Sequence, residues 1–197
     1  MPDISIKREF TFLNNQLETL KQVPEIKYLS KNQVRLIKLS LYLSLRYNRY
    51  LAKNWQKHTR PKTTDPYFET ADFFMTWFCH ASVRAIEIEK FDEQLLIRTP
   101  SEYFHGDSTT QPISNSTQIK SLIIHKPAPK VVHLAKMMEG KLAPMHTVLY
   151  LGNHPNLGEL FFEKEAAFEP FKITDTNTLV EYYPGFHWIF RNLTNSV

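Results

Sequence analysis

The sequence predicts an α+β fold: a helical N-terminal half of three helices around one long central helix (about residues 30–57), then a smaller mixed α/β half with 4–5 short strands. Three observations carry this. Apolar residues recur at three- and four-residue steps through the first half, but in short continuous or alternating runs after residue 118. Between the halves, residues 103–118 (YFHGDSTTQPISNSTQ) are polar, turn-rich and nearly uncharged. Residues 26–64, finally, contain ten Lys or Arg and no Asp or Glu, and read as a helix the middle of this stretch lines up seven of the ten on one face. The expected organisation is a helical region 1–102, a linker 103–118 and a mixed region 119–197 within one compact domain.

Each element has its own signal. Leu13, Leu17 and Leu20 space a first helix over about Arg8–Gln22, stopped before Pro24 because the residue preceding proline avoids the α region. Ser30 is a good N-cap for the second helix, which runs to about Lys57 and ends at His58-Thr59-Arg60-Pro61. Val34, Leu36, Ile37, Leu39, Leu41, Leu43, Leu45 and Leu51 make it apolar over most of its circumference, the mark of a buried central helix. A third helix begins near Asp65-Pro66 or Thr70 and continues through Phe74, Trp77, Phe78, Ala81, Ala85 and Ile88 to about Ile97, with a strand over Val83–Phe91 as the competing reading. Beyond the linker, Ile119–His125, Thr147–Leu151, Leu160–Lys164 and Phe168–Ile173 read as strands, and Lys130–Glu139 as a short helix. Gly152-Asn153-His154-Pro155-Asn156 reads as a turn. The tail from Thr178 to Leu193 is either a helix interrupted at Pro184-Gly185 or a last strand around Phe186–Phe190.

Charge points to function more than any motif does. The net charge is +4, but residues 26–64 carry +10 and the remainder therefore −6. At about 100° per residue, Lys31, Arg35, Lys38, Arg46, Arg49, Lys53 and Lys57 fall within roughly 100° of arc, with Tyr42 filling the one gap. Arg60 and Lys62 extend this ridge past the helix end. Like charges at i,i+4 cost a few tenths of a kcal/mol per pair, a cost that an anionic partner relieves. The expected function is therefore non-enzymatic: binding of DNA or RNA through phosphate contacts, alone or as a subunit of a nucleoprotein complex. The alternative is a protein–protein interaction module (adaptor, inhibitor or immunity-type) using segregated charge. Its acidic surface would be residues 139–181, where Glu139, Glu159, Glu163, Glu165, Glu169, Asp175 and Glu181 face three lysines.

Several chemistries are set aside. One cysteine, Cys79, excludes a disulfide framework and a Cys-rich zinc site, and its aromatic-rich surroundings read as core packing. Eight histidines show no metal-ligand spacing, so no metal is expected. Five scattered glycines rule out phosphate-cradling loops, and with them a small-molecule cofactor. Acids at Glu87-Ile88-Glu89-Lys90 and Glu163-Lys164-Glu165 miss the register of a metal-dependent nuclease and read as surface charge. No apolar run approaches a membrane span, and Met1–Phe10 lacks the apolar core of a signal peptide, so a cytoplasmic protein without membrane contact is expected.

Overall fold

The computed structural model describes residues 4–54, 79–89, 104–109, 111–123, 129–164 and 170–193. Helix α1 (Ile4–Lys21) is followed by a 3₁₀ turn (Pro24–Tyr28) and by helix α2 (Lys31–Asn54). Ser30 begins α2 with a reciprocal capping box: its hydroxyl accepts from the Gln33 N–H at 3.0 Å, and Gln33 Oε1 accepts from the Ser30 N–H at 3.0 Å. Helix α3 (Cys79–Glu87) comes next, then the two-residue strand β1 (Asp107–Ser108) and helix α4 (Ser116–Ile123). The rest alternates around a sheet: β2 (Lys130–Met138), β3 (Lys141–His154), β4 (Gly158–Lys164), β5 (Phe171–Asp175), helix α5 (Thr176–Tyr182) and β6 (His187–Asn192).

The six strands form one sheet in the order β1-β6-β2-β3-β4-β5, and every pairing is antiparallel. Both faces are covered. Val131, Leu149, Leu151, Phe162, Phe171 and Ile173 pack with Leu20, Ile37, Leu41, Val83 and Ile86 from α1, α2 and α3. Their neighbours Val132, Leu134, Val148, Tyr150, Phe161 and Trp188 pack with Ile119 of α4 and Leu179 of α5. Edge strand β5 is closed by helix side chains: its Phe171 N–H donates to Ser44 Oγ of α2 at 2.8 Å, and its Ile173 N–H donates to Gln16 Oε1 of α1.

This arrangement corrects the expected fold class. The fold is mixed α+β, but its centre is a six-stranded antiparallel sheet rather than a helical half with a smaller strand-bearing appendix. The strands are not all short, since β3 has 14 residues, and helices lie on both sides of the sheet instead of gathering at the N-terminus. Lys130–Glu139, read as a helix, is strand β2. A strand buried on both faces is apolar at consecutive positions, and over so short a run periodicity does not separate it from a buried helix. Met138 pairs with Lys141 across Glu139-Gly140, whose φ values of 49° and 76° supply the left-handed pair that a tight hairpin requires.

Ile119–His125, read as a strand, belongs to α4 as far as Ile123. Its start is fixed by Asn115, whose Oδ1 accepts from the Gln118 N–H at 3.2 Å while Gln118 Oε1 accepts from the Asn115 N–H at 3.2 Å. The polar stretch 103–118 is thus partly a helix cap, and Ile113 within it is buried and bridges to Phe186. Helix α3 stops at Glu87, with Glu89 at a φ of 58°, so neither the helix to Ile97 nor the strand over Val83–Phe91 is formed as expected; residues 90–97 lie outside the described residues. No helix among the described residues is long and apolar enough to cross a membrane.

Candidate functional site

The strands bring three dispersed residues together where β3 is irregular. Against β2, Leu134 pairs with His146 and Ala135 with Pro144, so Met145 is an extra residue, a β-bulge directly before His146. Bulges bend a strand and re-aim the side chain beside them. On the other side of β3, Leu149 pairs with Phe162, which sets Glu163 diagonally across from His146 on the same sheet face. His146 Nε2 lies 3.0 Å from Glu163 Oε2. Both are almost wholly buried, at 2% and 1% exposure. An ionised carboxylate only accepts, so Nε2 carries the proton and Nδ1 is the nitrogen left free.

Cys79, the first residue of α3, lies within hydrogen-bonding reach of His146 and of its own neighbour His80. Burial, the largest influence on the thiol, pushes its pKa up; hydrogen bonds and charge from His146 and His80 outweigh it and bring the thiol down to about 5. For His146 burial pushes down, and the hydrogen bonds and negative charges of Cys79 and Glu163 prevail, lifting it to about 9. The two groups titrate as one unit, and each pulls the other toward its charged form, so their contact favours a thiolate–imidazolium pair. Cys79 is 7% exposed, which makes it the most accessible member of the trio.

Surrounding groups hold the pair in place. Glu163 Oε1 accepts no hydrogen bond, but Lys172 Nζ, directly across the β4–β5 ladder, lies 3.4 Å from it. Lys172 also sits over the Tyr182 ring at 4.8 Å. Tyr183, just after α5, stacks on the His146 imidazole with centroids 4.7 Å apart and planes 15° apart. The ring orientation of His146 is therefore set by a carboxylate at its edge and an aromatic on its face.

A second buried acid, Glu87, has a different role. Arg191 of β6 grips its carboxylate with both terminal nitrogens, at 2.5 and 2.8 Å, and Arg84 adds a contact at 2.7 Å. This fork ties the end of α3, and so the Cys79 helix, to the sheet. Glu87 and Glu163, expected at the surface, are among the most buried side chains described.

The predicted basic ridge lies elsewhere. Lys31, Arg35 and Lys38 are exposed along α2, and Tyr42 is exposed with them. Arg46, Arg49 and Lys53 are on α2, but their side chains lie outside the description; Lys57, Arg60 and Lys62 lie outside the described residues altogether. Of the ridge residues whose side chains are described, Lys31, Arg35, Lys38 and Tyr42, none joins the Cys79 cluster. Cys79 is buried, as packing requires, yet its partners are not apolar. His146 and Glu163 carried no motif spacing, though one signal was present: each interrupts or flanks an apolar strand run, Val148–Leu151 or Leu160–Phe162, where a solvated charge has no place. Among the described residues no group of His, Cys, Asp and Glu is arranged to hold a metal ion. Comparison of the chain with protein-family models, with curated proteins and with solved structures finds no match.

Proposed function

We propose that this chain is a thiol-dependent acyl-transfer enzyme, acting on an amide, ester or thioester carbonyl, with Cys79 as nucleophile, His146 as general acid–base and Glu163 as the residue that orients it. The observation that carries the reading is the position of His146, hydrogen-bonded through Nε2 to a buried carboxylate and within hydrogen-bonding reach of the only cysteine. The same division of roles, a thiol, an imidazole and a third group that fixes the imidazole, recurs on unrelated folds as a nucleophilic constellation.

The chemistry balances. The Cys79 thiolate adds to the carbonyl carbon, a C–S bond forms, and the carbonyl oxygen takes the negative charge. Collapse of that intermediate breaks the bond to the leaving group, which takes the proton from His146 Nδ1. An acyl-thioester on Cys79 and a neutral His146 remain. Water or another acceptor then gives its proton to Nδ1 as its oxygen or nitrogen attacks the acyl carbon. Breaking of the C–S bond returns the thiolate, and the proton now on His146 restores the ion pair. Glu163 keeps Nδ1 directed at the sulfur throughout and stabilises the imidazolium; it need not itself be protonated.

The direct test is alkylation of the intact protein by iodoacetamide as a function of pH, together with turnover of amide, ester and thioester probes. Wild type should alkylate with an inflection near 5, and Cys79→Ala should abolish both labelling and turnover. His146→Ala should return the inflection to the ordinary thiol range of about 8.5. A wild-type inflection already in that ordinary range would sink the proposal.

A separate observation keeps a second reading alive for another surface. The exposed Lys31, Arg35 and Lys38, with Tyr42 beside them, present one charge sign, while Glu163, one of the acids of the acidic stretch, is spent on His146. We propose nucleic acid as the partner of that face, with an acidic protein surface as the alternative. A salt titration of DNA and RNA binding, with charge reversal at Lys31, Arg35 and Lys38, tests it: the reversals should weaken binding and flatten its salt dependence, and binding indifferent to both refutes it.

A further inference from the structure

We propose that His80 is a second catalytic residue of the Cys79 site, a neutral hydrogen-bond donor to the sulfur that a Thr147–His133 chain holds in its donating tautomer. The inference rests on the acyl-transfer reading and deepens it. Three side chains from three elements make the chain: His80 follows Cys79 on α3, Thr147 follows His146 on β3, and His133 lies directly across the β2–β3 ladder from Thr147. Thr147 Oγ1 contacts Nδ1 of His80 and, at 2.8 Å, Nδ1 of His133. Phe104 walls the group off, edge-on to both imidazoles with centroids 5.0 Å from His80 and 5.2 Å from His133. His133 is fully buried.

Proton counting gives the chain a direction. A threonine hydroxyl has one proton, so it donates to one of the two Nδ1 atoms and accepts from the other. With Nδ1 of His80 held by Thr147, Nε2 is the nitrogen left for Cys79. Against a thiolate, a bare Nε2 lone pair repels and an N–H attracts. The favoured order is therefore His133 Nδ1–H to Thr147 Oγ1, the Thr147 hydroxyl proton to His80 Nδ1, and His80 Nε2–H to the sulfur. Every hydrogen bond then points at the thiolate without adding a second positive charge beside His146.

The described groups facing Cys79 divide into two chains. His146, backed by Glu163 and Lys172 from β3, β4 and β5, is the charged one; His80, backed by Thr147 and His133, is the neutral one. From α2, Gln33 faces the other end of α3, at the Glu87 carbonyl, and adds no charge at the sulfur.

The test is the pH profile of iodoacetamide alkylation of the full chain. Thr147→Val, close to isosteric, and His80→Gln should each raise the inflection by about one unit, a roughly tenfold loss of thiolate at pH values below it. Thr147→Ser, which restores the hydroxyl, should keep the wild-type profile. The double variant should match His80→Gln alone, because Thr147 acts only through His80. His133→Gln should move the profile the same way; if it fails to fold, the Thr147 pair still decides. A low wild-type inflection raised by His146→Ala but untouched by Thr147→Val and His80→Gln overturns the role of His80 and leaves the acyl-transfer reading standing. An ordinary wild-type inflection overturns both.

Discussion

Mild acid should remove a defined share of this protein's stability through the Cys79–His146 pair. In the unfolded chain the thiol titrates near 9.0 and the imidazole near 6.5; in the folded protein they titrate at about 5 and about 9. Cys79, whose folded value is depressed, stabilises above its unfolded value and loses that contribution as pH falls toward 5. His146, whose folded value is raised, stabilises below 6.5 and loses that contribution as pH rises toward 9. Between 6.5 and 9 the two slopes cancel, because both states hold one proton: on His146 when folded, on Cys79 when unfolded. Below 6.5 the unfolded chain gains a second proton, while the folded pair gains it only at about pH 5. Across that window, about 1.5 units wide, the unfolded state binds more protons, so stability rises with pH and is lost on acidification; at about 1.4 kcal/mol per unit the loss is about 2 kcal/mol. Urea unfolding of wild type and Cys79→Ser at pH 7, 6 and 5 measures it, since subtracting the variant cancels the other groups that titrate there. Equal losses in the two proteins from pH 7 to 5 would refute the ion pair.

Other perturbations probe the frame that carries the site. Ser30→Ala removes one half of the α2 capping box and should cost about 1 kcal/mol in urea unfolding. Arg191→Met leaves the buried Glu87 carboxylate without its fork and should cost about 3 kcal/mol or more; because that fork ties α3 to the sheet, Cys79 alkylation should also lose its low inflection. Gly152→Ala places a Cβ against Glu25 and Val23 at a φ of 143°, so it should lower the urea midpoint by more than an ordinary surface substitution and break the 3.0 Å bond from the Asn153 N–H to Glu25.

Elements whose cause is local were legible. Pro24 bounded the end of α1, though the helix starts at Ile4 and not near Arg8, and Ser30 capped α2, because caps and helix faces depend on residues within a turn or two of one another. The misread elements are those whose sequence depends on what covers them. β2 is apolar on both sides because helices cover both faces of the sheet, and α4 starts in a polar stretch because Asn115 and Gln118 satisfy each other's backbone. Burial of Cys79 was legible too, from its apolar neighbours. What that burial meant was not, since it depends on which side chains α3 meets.

By itself the sequence determined the basic face of α2, the lone thiol and the amphipathic segments, all properties of residue type and near-neighbour spacing. Only the tertiary structure decided that Cys79, His146 and Glu163 belong to one constellation. Such a constellation is a set of distances between atoms far apart along the chain, and here the antiparallel register of β3 and β4 and the bulge at Met145 bring His146 and Glu163 together. Burial did the rest: His146 meets Cys79 on one side and Glu163 on the other, away from water, where polar groups need partners.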